Sequence, residues 1–559
     1  MKPKKFVEKT FIKLYERSFG ENFDLPAMTD YGSDKIFMYS DVAKEIAKLH
    51  ILFEECRINK GDKISIIGKN SSRWAIAHIA TVSYGAVIVP ILHDFNSNDI
   101  NHIVNHSDSV LLFVTDKIWD HLNEDGMPQI KGAISLTDFR LLHQRIGENL
   151  NDSLLSLDEK FAKKYPEGFY PIHIKYSDQP DDDIVVLNYT SGTTGFSKGV
   201  MITGSNLSGN MEYAHVAIRL KKGDRMLSFL PLAHTYGAAF DFLYALTEGV
   251  FTTYLGKTPA PKILLKALEE VKPEVIISVP LIFEKIYKKM IIPILNKKAI
   301  SLALNVPLLD TRIYAQFKKR LLSALGGKAR LVIIGGAPFN SEVEDFLLKI
   351  KFPVSVGYGM TECAPLISFT GEYSEFVPHS CGKVLNCMDV RIDSENPYNI
   401  AGEIQTKGQN VMAGYYKNQS ATDAVFTDDG WLRTGDLGTI DKDNNIFIRG
   451  RSKSVILGAS GQNIYPEEIE AKLNNLPFVM ESLVIEKNNR LIALVYPDYD
   501  AVDQTGVSHE DLPLLMEENK ATLNKMVASY EKIAEIQLYP NEFEKTPKKS
   551  IKRYLYGNI

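Results

Sequence analysis

The stretch Tyr189-Thr190-Ser191-Gly192-Thr193-Thr194-Gly195-Phe196-Ser197-Lys198-Gly199 lies between two apolar runs, residues 184–187 and 200–202. Its three glycines let backbone N–H groups approach an anion closely, its five Ser/Thr hydroxyls add donors, and Lys198 brings a full positive charge. By composition it is a phosphate loop. Two commoner nucleotide loops are excluded: Gly192 is not followed at Walker spacing by Gly-Lys-Ser/Thr, and the chain holds no G-x-G-x-x-G. The apolar flanks predict a connection from strand to strand, where a Walker loop would open a helix.

Outward from this loop, short apolar runs at 63–67, 110–114, 274–279 and 330–334 alternate with longer helical patterns between about residues 60 and 360. Strands apolar on both faces and separated by helices predict an α/β body of parallel, helix-covered sheets. The uncharged stretch 74–92 has the length of a membrane span, but His78, Thr81, Ser83, Tyr84, Gly85 and Pro90 divide it into a buried helix ending near Gly85 and a short strand, 87–89. Between 388 and 448, strands separated by Gly, Asn and Asp turns predict a β-rich subdomain. After Arg451 a compact α+β unit is expected. It comprises a strand at 454–457, the 458–461 loop, a helix from Pro466, a hairpin turning at Asn488 and Asn489, a helical pattern over 510–534 and a basic tail, 545–553. Residues 1–452 therefore read as a large domain and 453–559 as a small mobile lid, with the charged step 451–453 as hinge.

Basic and acidic residues number 64 and 69, so no global field draws the chain to nucleic acid, although a local basic patch can meet a small anion. Cys56, Cys363, Cys381 and Cys387 are scattered without a C-x-x-C pair, which excludes a zinc motif and fits a reducing cytoplasm. Charges throughout the first twenty residues argue against a signal peptide and for a cytoplasmic location. Phe11, Leu14, Tyr15 and Ser18 at helical spacing, among Lys9, Lys13 and Arg17, read as a helix packed on the body, with peripheral membrane contact as the alternative. The basic stretch 285–320 reads as a solvated face that can also receive a CoA phosphate or a lipid headgroup.

Further segments carry chemistry: Leu230-Pro231-Leu232-Ala233-His234-Thr235-Tyr236-Gly237, Gly335-Gly336-Ala337-Pro338, Gly357-Tyr358-Gly359-Met360-Thr361-Glu362, Trp431-Leu432-Arg433-Thr434-Gly435-Asp436 and Arg449-Gly450-Arg451-Ser452-Lys453. Taken singly, His234 reads as a core histidine, 335–338 as a strand-to-helix turn and Asp436 as a turn aspartate. With the 189–199 loop, in this order, they resemble the signature segments of the adenylate-forming (AMP-binding) superfamily, which includes acyl-CoA synthetases, luciferases and peptide-synthetase adenylation domains. The Leu-Pro-Leu-Ala-His wording and Lys453 resemble its long-chain fatty acid CoA ligases. The resemblance spans nearly the whole chain.

That resemblance implies a ligase that activates a fatty acid with ATP and Mg²⁺ and passes the acyl group to coenzyme A. It implies that Thr190, Ser191, Gly192, Thr193, Thr194, Gly195 and Lys198 hold the phosphates, and that Thr190 and Glu362 ligate Mg²⁺. Gly336, Ala337, Pro338, Tyr358, Gly359 and Met360 would wall the adenine, Thr361 would donate to the α-phosphate, and Asp436, with Ile448 and Arg451 beside it, would accept the ribose hydroxyls. Thr194, Lys198, His234 and Glu362 are the implied catalytic groups of the body, and Lys453 the pivot. One departure stands out. The superfamily's tail reads like Thr-Gly-Lys-Ile-x-Arg, whereas this one reads Thr546-Pro547-Lys548-Lys549-Ser550-Ile551-Lys552-Arg553, with Ser550 where the lysine belongs. A neutral hydroxyl cannot stabilise charge on phosphorus as an ammonium does, so Lys549 and Lys552 are the candidate replacements. Three alternatives stay open: acylation of a carrier-protein phosphopantetheine, a nucleotide- and acyl-binding protein of low turnover, and an unrelated phosphate-loop ATPase that releases ADP.

Overall fold

The strand-to-strand reading of the phosphate loop holds: Ile184–Thr190 pairs antiparallel with Lys198–Thr203, and Thr190 stands directly opposite Lys198. This is seen in a computed structural model that describes residues 10–557 except 191–196, 296, 308, 372–375, 458–461, 489 and 547–550. The hairpin belongs to an eight-stranded sheet in the order Gly414–Tyr415, Lys198–Thr203, Ile184–Thr190, Val87–Ile91, Lys63–Ile67, Ser109–Val114, Gly132–Ser135 and Leu141–Gln144. The five strands from 184–190 to 132–135 run parallel, while both margins are antiparallel.

A second sheet repeats the pattern. Val275–Ser278, Leu331–Gly335 and Val354–Gly359 run parallel, then Leu366–Phe369 and Lys383–Val384 turn back. The expected parallel sheets are thus mixed: the short links 191–197, 136–140 and 360–365 can only reverse the chain, whereas helical crossovers preserve direction, and the marginal strand Gly414–Tyr415 is added antiparallel from a distant part of the sequence. Arg225–Ser228, Phe251–Tyr254, Pro26–Asp30 and Ile36–Met38 form a third sheet, and Met388–Asp393, Gly402–Gly408, Leu432–Ile440 and Ile446–Arg451 form the expected β-rich subdomain.

The 74–92 stretch divides as its polar residues require. Ser71 Oγ caps the helix Ser72–Tyr84 by accepting from Trp74 N, Gly85 ends it at φ +98°, and the strand Val87–Ile91 is buried throughout. Among the described residues no helix is long and apolar enough to cross a membrane. The first helix, Phe11–Glu21, buries Phe11, Leu14, Tyr15 and Phe19 in the body, so its apolar face is already covered.

One apolar core extends from Phe11 to Ile446, and separate smaller cores begin at Ile464. The second unit packs the helices Pro466–Leu473 and Leu512–Met526 on a sheet of Val479–Lys487, Arg490–Pro497 and Glu535–Leu538. Two sequence expectations are corrected here. The helical pattern over 510–534 ends at Met526, because Val527 turns extended and residues from Glu535 enter the sheet. The strand expected at 454–457 is only Ile456–Leu457, since Ser452–Ser454 form a helical turn. This unit rests on the body through Lys288 Nζ, which donates to the carbonyls of Asn474 (2.6 Å) and Val479 (3.3 Å).

Candidate active site

A continuous cavity of about 3030 Å³ lies between the body and the second unit. Thr190 and Lys198 reach its wall from the two ends of the loop, while Ser191, Gly192, Thr193, Thr194 and Gly195 lie outside the described residues. Lys198 Nζ sits 4.8 Å from the centre of the Tyr415 ring, and Tyr415 Oη donates to Glu362 Oε1 at 2.8 Å. The sheet makes this possible, since Tyr415 lies on a marginal strand paired beside 198–203. Burial, then the Glu362 charge, pushes the Tyr415 phenol well above its ordinary range, so it remains a donor. Lys198, Tyr415 and Glu362 therefore form one polar wall with a cation at one end and a carboxylate at the other.

The same cavity is lined by Gly336, Ala337, Pro338, Tyr358, Gly359, Met360 and Thr361, joined by Asp436, Ile448 and Arg451. Gly336 has φ +85°, where a side chain would be strained, and a Cβ on Gly335 would stand 3.2 Å from the Gly357 carbonyl and 3.3 Å from the Tyr236 ring. Asp436 is 5 % exposed and doubly tied: Tyr358 Oη donates to one carboxylate oxygen at 2.8 Å, and Arg451 Nε reaches the other at 2.9 Å. Burial raises its carboxyl, with Arg451 and Tyr358 opposing, and the balance lies above the usual carboxylate value. Each oxygen has two lone pairs, so this anchored group still has acceptor capacity for a diol.

His234 caps the short turn Thr235–Gly237, its Nδ1 accepting from Tyr236 N at 3.3 Å. In the neutral ring that places the proton on Nε2, as a donor. Several supports of this turn escaped sequence reasoning. Asn70 Nδ2 donates to Leu230 O (2.6 Å) and Ser228 Oγ (3.2 Å), and Asn70 Oδ1 accepts from Leu232 N (3.0 Å). Asn188 Nδ2 donates to Ala233 O, and Tyr236 Oη to the carbonyls of Ser278 and Ile333. Asn70 follows the parallel strand Lys63–Ile67, and residues just past the carboxyl ends of such strands are where α/β folds build sites. That signal could have found it. Tyr415 carried none.

The same cavity is also lined by Phe229, Phe240, Leu264, Val279, Ile286 and Met290, an apolar arm of the lining. Polar and apolar ends share one space.

The family model described as "AMP-binding enzyme" matches residues 15–416. The chain belongs to the AMP-binding enzyme family. The long-chain-fatty-acid–CoA ligase FadD15 of Mycobacterium bovis is 29% identical over 543 residues, 89% of this chain and 86% of that protein. The Arabidopsis thaliana long chain acyl-CoA synthetase 5 is 27% identical, covering 84% of this chain and 74% of that one. Among solved structures, the fold matches the anthranilate CoA ligase AuaEII in complex with anthranoyl-AMP (TM-score 0.78, 17% identity, 98% and 96% covered). It also matches ATP-bound MatB from Rhodopseudomonas palustris (TM-score 0.75, 22% identity, 98% of each chain).

In this AMP-binding enzyme the tail also borders the cavity. Lys552 lines it and pairs with Glu544 at 3.5 Å, while Lys549 and Ser550 lie outside the described residues. Arg553 reaches Glu467 and Glu470, and burial pushes the Glu470 carboxyl up to about 7 against the pull of Arg553. Lys453 lies on the cavity wall within the turn that links the two units.

Proposed function

We propose that this AMP-binding enzyme joins a long-chain fatty acid to coenzyme A through an acyl-adenylate, with ATP as the activating substrate. The observation that carries the reading is one cavity whose lining holds both Lys198, His234 and Glu362 and the apolar residues Phe229, Phe240, Leu264, Val279, Ile286 and Met290. A fatty acid placed in the arm presents its carboxylate where cationic and N–H groups converge. One carboxylate oxygen then attacks the α-phosphorus of ATP, the new O–P bond forms as the bond to pyrophosphate breaks, and pyrophosphate leaves. Lys198 and the 190–197 loop hold charge developing on the phosphates, His234 Nε2–H donates to the reacting oxygens, and Thr361 supplies a further donor. Asp436, fixed by Tyr358 and Arg451, accepts the ribose hydroxyls. In the second half-reaction the sulfur of CoA attacks the acyl carbonyl, AMP leaves, and the second unit turns about Lys453 to expose the carbonyl.

Among the described residues no group of three or more His, Cys, Asp or Glu is placed to hold a metal ion. Mg²⁺ is bound through one or two protein oxygens plus substrate phosphates, and Glu362 and Thr190, which both line the cavity, are the oxygens that would hold it. When bound it supplies neutralisation of the leaving pyrophosphate.

The test is a mass-resolved product assay with ATP, CoA and acids from acetate to oleate. AMP and acyl-CoA in equal amounts, rising with chain length, are expected. ADP as product, or no AMP with any acid, overturns the reading.

A further inference from the structure

The helix Ser341–Lys349 begins just beyond Gly335-Gly336-Ala337-Pro338, capped by Asn340 Oδ1, which accepts from Glu342 N and Val343 N. On its first turn stands Glu344, which is 3 % exposed and lines the same cavity as Tyr358 and Asp436. Glu344 Oε1 accepts from His379 N at 2.6 Å, and among the described residues its Oε2 has no hydrogen-bond partner. Asp436 differs, since Tyr358 and Arg451 tie both of its oxygens. A buried carboxylate with an oxygen to spare is costly unless a donor meets it.

The segment that Glu344 holds locates it along the cavity. His379 leads into Cys381, which also lines the cavity and whose N donates to Ile446 O at 2.7 Å. Ile448 stands opposite Gly438, two residues past Asp436. Burial pushes the Cys381 thiol up to about 12, a bond from the Ile448 backbone opposes this, and the charges of Glu344 and Asp436 both add to the rise. One buried thiol thus lies within reach of both carboxylates. ATP with its ribose on Asp436 carries its base against the lining around that residue, because base and ribose are joined. Adenine has one exocyclic donor, the 6-amino group, while its ring nitrogens N1, N3 and N7 only accept. A carboxylate beside the base is therefore met by that group.

We infer that Glu344 is a specificity-determining residue for the nucleotide, its Oε2 accepting a hydrogen bond from the 6-amino group of adenine. The inference deepens the acyl-ligase reading and rests on it for the pose of ATP. The bond to His379, a residue at φ +63°, gives Glu344 a structural role as well, and the test separates the two.

The experiment is calorimetric titration of the full chain with ATP, ITP and purine riboside triphosphate, which lacks the 6-amino group, alongside AMP release from each with oleate. The wild type is expected to bind ATP about tenfold more tightly than purine riboside triphosphate, as one hydrogen bond to a charged group allows. In Glu344→Ala that difference should shrink to less than about twofold. Glu344→Gln keeps an acceptor for His379 N and offers a donor to the base, so ITP, with an oxygen at position 6, should gain on ATP by about tenfold. Equal wild-type binding of ATP and purine riboside triphosphate overturns the inference. So does a loss in Glu344→Ala that is the same for all three nucleotides, or an unchanged ratio of ATP to ITP in Glu344→Gln, since Glu344 would then only hold His379. Absent AMP formation by a wild type that still discriminates the three nucleotides sinks the ligase reading and leaves the assignment of Glu344 standing.

Discussion

The polar wall and the acyl arm of the same cavity are held by opposite physics. The wall is a set of directional, mutually tied groups: Tyr415 on Glu362, Tyr358 and Arg451 on Asp436, Asn70 on the loop before His234. The arm is packed from aliphatic and aromatic side chains such as Phe240 and Leu264, with no directional partner to keep. Wall residues are therefore coupled, and a single change there leaves a buried partner unsatisfied. Arm residues act through volume. The wall should govern rate and nucleotide affinity, the arm the length of the acid.

The largest effect expected is at Lys198. Lys198→Met removes the one cation flanking the loop and should slow adenylate formation by about 10³-fold, with little change for different acids, as read by pyrophosphate exchange. If long acids suffered more than short ones, the division between wall and arm would break. Arg451→Gln comes next. Arg451 pulls the buried Asp436 carboxyl down, so its loss lets that carboxyl rise further and take up a proton at higher pH. KM for ATP should increase by about tenfold at pH 6 and by less at pH 8, because only the ionised carboxylate accepts both ribose hydroxyls. A pH-independent change would show that Arg451 acts by contact alone. Met290→Trp takes volume from the arm and should lower kcat/KM for oleate relative to octanoate by roughly tenfold, leaving KM for ATP in place. The smallest effect is Tyr358→Phe, which deletes one hydrogen bond to Asp436 and should cost about 1 kcal/mol, or roughly fivefold in KM for ATP.

The wall was more legible in sequence than the arm. Glycine, hydroxyl and lysine types clustered within eleven residues announce anion binding wherever the chain goes, and Gly85 with Pro90 divided an apolar run that could have been a membrane span. Sequence patterning also located the second unit, but overran its last helix, because the apolar residues Val527 and Ile533 past Met526 pack on the core of this unit from a turn and link that lead into the strand Glu535–Leu538. Tyr415 and Asn70 stayed invisible. Each matters through a partner more than fifty residues away, Glu362 for Tyr415 and the 228–232 loop for Asn70.

What the amino-acid order determined by itself was local. It specified a hairpin loop able to bind phosphate, a body of alternating strands and helices, a basic segment at 285–320 and the Ser550 departure in the tail. Tertiary structure alone decided that Lys198, Tyr415 and Glu362 share a wall, that Asp436 is held from two sides, and that apolar residues as distant in sequence as Phe229 and Met290 line the same cavity. The reason is physical. Backbone propensity and side-chain charge act over a few residues, whereas a cavity is bounded by groups brought together only when separate sheets and helices bury their apolar faces against one another.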